Sequence, residues 1–140
     1  MNLDSFNKLV GQTIMECQRI EHDVKLICAG VLDGDMEQNY RSIEFKSLGE
    51  VLLELKTLDK SCKKFNITKA DYDLLFQIKE VRNWLAHSVY VDFMYEQAPN
   101  LQKYYNHTFN KLQSFYGQIK GLGDQLEKSR LEILKYYGRI

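Results

Sequence analysis

Along nearly the whole of this chain apolar residues return every three or four positions, and a single proline, Pro99, interrupts its 140 residues. A helix turns 100° per residue, so this spacing gathers apolar side chains onto one stripe; a strand would need strict alternation. The sequence is therefore held to the all-α class, as helices that bury their stripes against one another. Phe6, Leu9, Thr13, Cys17, Ile20, Val24 and Ile27 make the stripe of a long first helix ending near Gly30. Asp33 to Asn39 holds turn formers without a period, which predicts a loop of about ten residues. Ser47 and Glu50 have capping-box spacing and open a second helix that runs to about Cys62. Thr68 followed by Asp71 offers an N-cap for a third helix, which reaches the neighbourhood of His87. The β-branched and aromatic run from Val89 to Tyr95 leaves both an extended and a helical course open. From Leu101 onward, Tyr105, Thr108, Leu112, Phe115, Ile119, Leu122 and Leu126 form the seam of a long last helix, with a kink or break expected near Gly121. The sum is an up-and-down bundle of four to five helices in one domain, residues 1–140.

Composition narrows the function classes. The formal net charge is zero, so no overall field favours a long polyanion. Residues 1–40 carry three basic and seven acidic side chains, which leaves sixteen basic and twelve acidic for the rest. An anionic ligand is thus expected on the later helices. Lys56, Lys60, Lys63 and Lys64 crowd the end of the second helix, either as a solvated helix end or as a patch that steers phosphate. No signal-like start and no apolar run of spanning length is present, and the expected location is cytoplasmic, without a membrane. Cys17, Cys28 and Cys62 form no C-x-x-C unit. Cys17 and Cys28 lie almost three helical turns apart and read as small core hydrophobes. No metal site and no cofactor are expected; dinucleotide, phosphate-loop and metalloprotease signatures are absent. His22 and His107 fall among polar neighbours and read as surface residues.

The third helix carries two stripes. Leu74, Ile78, Val81, Leu85 and Val89 form one; Tyr72, Phe76, Lys79, Asn83 and His87 form another, which predicts a second half-buried face, with Tyr72 and Phe76 as dimer contacts. Arg82 precedes His87 by five positions, about 140° around an ideal helix. The two cannot converge on one small ligand from a straight helix unless it distorts between them or a second copy supplies the other half. A guanidinium is permanently charged and fits phosphate oxygens, and an imidazole exchanges protons near neutrality, so the pair suits phosphoryl chemistry.

The run Arg82-Asn83-Trp84-Leu85-Ala86-His87, late in an inner helix of a small helical bundle, resembles the HEPN superfamily. The motif covers six residues; bundle architecture and length extend the likeness loosely to the whole chain. The resemblance implies a HEPN-like fold and a metal-independent endoribonuclease, often the toxin of a toxin-antitoxin or phage-defence system, acting as a homodimer on RNA. It assigns Arg82 to the phosphate, His87 to proton transfer and Asn83 to positioning. Lys79 and Tyr90 are the expected RNA contacts; Tyr90 can orient the imidazole, stack a base, or simply pack. Trp84 is expected to pack on a neighbouring element. RNA carries its own nucleophile, so a base, an acid and cationic stabilisation suffice. Two other readings stand beside this one: a non-catalytic module binding a nucleotide or a partner protein, and an antitoxin-like regulatory subunit using the acidic first helix and the segment after it.

Overall fold

The computed structural model describes residues 1–62 and 65–140, and among them it is all-helical. Lys63 and Lys64 of the expected basic cluster lie outside the described residues. Six helices are present: α1 (Leu3–Val31), α2 (Met36–Ile43), α3 (Leu48–Ser61), α4 (Lys69–His87), α5 (Val91–Met94) and α6 (Asn100–Tyr136).

Local chemistry sets most of the starts. The side chains of Asn2, Asp35, Ser47 and Thr68 each accept the backbone N–H three residues on, which satisfies a donor that the first turn leaves unpaired. The full reciprocal box forms at Thr68 and Asp71; at Ser47 only the serine half is made.

One helix, α2, replaces an expected loop, and another, α5, settles a stretch whose course the sequence left open. Asp35 caps α2, and Met36, Tyr40 and Ile43 turn inward, so the ten-residue loop shrinks to the turn at Gly34, whose φ of +93° suits glycine. The side-chain amide of Asn39 then donates to the carbonyls of Ala29, Leu32 and Asp33 and closes the end of α1. The aromatic run after His87 makes the short α5, anchored by Phe93, which is fully buried against Phe6 and Tyr105.

α1 and α6 lie side by side and parallel. Asn2 meets Tyr105, Arg19 meets Asp124, and Gly30 meets Arg139. α4 runs antiparallel to both, with Arg82 paired to Glu21 and Tyr90 to Asn7 on α1, and Asp71 bonded to Gln125 on α6. Among the described residues this makes six helices in place of four or five. α6 is continuous for 37 residues, without the expected break. Gly123 is a packing device: a Cβ there would lie 2.5 Å from Arg19 Nη2, so glycine lets the guanidinium reach Asp124. Cys17 and Cys28 are fully buried core residues, as their shared face predicts.

Candidate functional site

Five residues of α4, Lys79, Arg82, Asn83, Ala86 and His87, recur at helical steps and form one wall of an open groove of about 420 Å³. Ile14 and Gln18 of α1 make the other wall, and Ser47 and Leu48 close one end. Leu48 is buried, so the start of α3 is fixed there. Its first-turn N–H groups give this end of the groove a partial positive charge. Arg82 and His87 stand at the two flanks of the stripe. A straight helix therefore brings both to one groove, and a ligand of nucleotide size can reach both where a small one cannot.

The two functional groups are held differently. Arg82 pairs through Nη1 with Glu21 of α1; its side chain is 44% exposed and that of Glu21 16%. Glu21 thereby fixes the guanidinium against α1, while its other N–H donors hold no acceptor among the described residues. His87 is the last residue of α4, where the backbone N–H groups of Ser88 and Val89 both turn back to the Trp84 carbonyl. Its imidazole is exposed and has no hydrogen-bond or ion-pair partner among the described residues, and the same is true of Lys79 and Asn83. Behind the groove, burial pushes the Cys17 thiol up to about 11, with the Arg82 cation drawing it only partly back. Cys17 is therefore a neutral thiol at physiological pH and no nucleophile.

Three of the expected site residues lie elsewhere. Tyr72 is buried, and its hydroxyl donates to Asp59 Oδ2 at 2.7 Å, so it ties α4 to α3 and is not a surface contact for a second copy. Tyr90 packs edge-on against Phe6 and donates to Asn7 Oδ1 at 2.5 Å, outside the groove. Phe76 is 38% exposed but lines a second groove, of about 470 Å³, between α4 and α6. There Trp84 packs on Phe115 at 5.8 Å, as expected of it, and Lys111 Nζ stands 4.5 Å over the indole.

Sequence reasoning missed Ser47, Leu48, Ile14 and Gln18 as groove residues and Glu21 as the partner of Arg82. Only Ser47 carried a signal, its capping role, which does not reveal which groove it ends. His22 is exposed and meets Tyr40 at 3.1 Å, and His107 is exposed on α6. Among the described residues no three His, Cys, Asp or Glu side chains gather as a metal-ligand set, and no helix is long and apolar enough to cross a membrane. Comparison of the chain with protein-family models, with curated proteins and with solved structures gives no match.

Proposed function

We propose that this chain is a HEPN-like, metal-independent endoribonuclease that works as a homodimer, of the kind found in toxin-antitoxin or phage-defence systems. One observation supports the reading above the rest: Arg82, Asn83 and His87 share one open groove with Lys79 and the start of α3, and among the described residues only Arg82 of these four is bonded to another side chain. A structural role would use these groups on internal partners. Here three of the four face solvent uncommitted.

The chemistry follows from the groups. His87 removes the proton from a ribose 2′-hydroxyl; the 2′-oxygen bonds to the adjacent phosphorus as the bond from phosphorus to the 5′-oxygen breaks. The leaving oxygen takes up a proton, giving a 2′,3′-cyclic phosphate and a 5′-hydroxyl. Arg82, steadied by Glu21, offers its free N–H donors to the non-bridging oxygens as charge builds there. Asn83 and Lys79 hold the strand by amide and ammonium contacts. One imidazole cannot serve as base and acid on the same phosphate at once, and a second copy supplies the second His87.

The test is cleavage of single-stranded RNA in the presence of chelator by the parent, Arg82→Ala and His87→Ala. Folded variants that lose cutting support the mechanism. Parent-like cutting by both ends it. A second reading, a non-catalytic partner-binding module, is favoured by Glu21 occupying part of the guanidinium; it predicts a parent protein that binds RNA or a protein and never cuts.

A further inference from the structure

We propose that the groove between α4 and α6 is a pocket for one unpaired nucleobase of the same RNA whose phosphate lies in the Arg82–His87 groove. The inference rests on the ribonuclease reading and adds the form of the substrate: a single strand, held by a base as well as by its backbone.

The two grooves flank one helix. Asn83 and Trp84 are neighbours in sequence and face opposite sides of the exposed ridge of α4, each lining its own groove. The ridge is about one helix diameter across, about 10–12 Å, a span that an extended strand covers in a few nucleotides. A paired duplex cannot drop a base over it.

The pocket has the chemistry of a base and not that of a purely apolar partner. Phe76 and Phe115 frame it with Trp84, and its volume of about 470 Å³ falls within the range of small-ligand sites. The indole N–H already donates to Asp92 Oδ2 at 2.7 Å, so the polar edge of Trp84 is committed and what it can offer a ligand is the ring face under Lys111. One face attracts Lys111, whose ammonium stands 4.5 Å from the ring centre on a long, exposed side chain. A stacking base takes that position, and the ammonium moves to the phosphate that arrives with it. The rim carries the carboxylate of Glu80 and the amide of Gln77. A carboxylate repels the backbone but accepts hydrogen bonds from an exocyclic amine, so the base edge faces Glu80 and the phosphate faces Lys111. Adenine, cytosine and guanine have such an amine. Uracil has none.

The experiment exploits the fact that Trp84 is the sole tryptophan. Intact protein is titrated with 2′-O-methyl oligoribonucleotides, which cannot supply the attacking hydroxyl, while Trp84 emission and the anisotropy of labelled oligonucleotide are followed. Cytidine or adenosine oligomers should change Trp84 emission and bind more tightly than uridine oligomers. Phe76→Ala and Trp84→Ala should weaken binding on the order of 10- to 100-fold, the range for one stacked base. Trp84→Phe should recover most of that loss. An abasic nucleotide at one position should cost the parent a similar factor and cost Trp84→Ala nothing further. If Arg82→Ala loses RNA while the Phe76 and Trp84 variants bind as the parent does, the base pocket is wrong and the ribonuclease reading stands. If the parent neither binds nor cuts any RNA, both fall. If Trp84 emission follows protein concentration without RNA, a second copy fills the groove and the base pocket is overturned.

Discussion

The seam between α1 and α6 and the outer ridge of α4 use charge in opposite ways. Along the seam, Glu16 and Asp23 are buried carboxylates answered by Arg19 and Arg130, and Arg19 also reaches Asp124 and Glu127. Along the ridge, Lys79, Asn83 and His87 answer to nothing among the described residues, and Arg82 gives one nitrogen to Glu21. A side chain already ion-paired within its own protein is a structural part, because a ligand must first break what it already has. Side chains left in water on a fixed helix are free to meet a ligand at small cost.

The contrast can be broken outright by activity. On the ribonuclease reading, His87→Ala and Arg82→Ala should each lower RNA cleavage on the order of 10²- to 10⁴-fold, while the thermal midpoint of His87→Ala, which breaks no contact among the described residues, stays where it was; early unfolding of that variant would move His87 to the structural class. The seam should behave in reverse. Gly30→Ala places a Cβ 2.1 Å from Leu134 Cδ2, and overpacking there should cost about 1–3 kcal/mol in chemical denaturation. Glu16→Ala should cost about 2 kcal/mol, less than for a fully enclosed pair because the Arg19 side chain is 29% exposed. Both seam variants, once folded, should retain the cleavage rate of the parent. Gly121→Ala sharpens the comparison in the other direction. A Cβ at Gly121 meets open space, so the helix should gain about 0.5–1 kcal/mol with no packing loss.

The smallest effect concerns pH. Burial raises the Cys17 thiol to about 11 and the Cys28 thiol to about 12, both from 9.0. A raised folded value means that the native state keeps its proton longer than the unfolded chain. The contribution is complete below the unfolded value and is lost as pH climbs from there toward the folded one. Stability should therefore begin to fall as pH rises through 9 and continue to fall above it, by well under about 1 kcal/mol per thiol at the start of that window. Thiol reagent at pH 8 should leave both cysteines unlabelled until denaturant is added; prompt labelling of native protein would show that the seam opens.

Long stripes were legible in the sequence and short ones were not. α1, α3, α4 and α6 each repeat their apolar step over many turns, and their caps at Ser47 and Thr68 can be read directly. α2 has only Met36, Tyr40 and Ile43 to show, and its acidic turn formers hide them. Tyr72 was misassigned because the neighbour of α4 changes along its length. Near its start α3 covers a face that is bare further on. Gly121 read as a break because spacing cannot show that α6 is held along α1. The candidate site was half visible. Arg82, Asn83, His87 and Lys79 share one helix, whose geometry is calculable, but Glu21, Ser47 and Leu48 arrive from elements whose approach no local pattern encodes.

One contact at the far end of the seam has a consequence for the order of assembly. Arg139 donates from Nε to the Gly30 carbonyl at 3.0 Å and from Nη2 to the Leu32 carbonyl at 2.8 Å, across 109 and 107 residues. The final turn of α1 thus takes finishing donors from two places, Asn39 close by in sequence and Arg139 more than a hundred residues away. Asn39 can close that turn from nearby as soon as α2 forms, whereas the Arg139 clamp locks it only once the two long helices have docked.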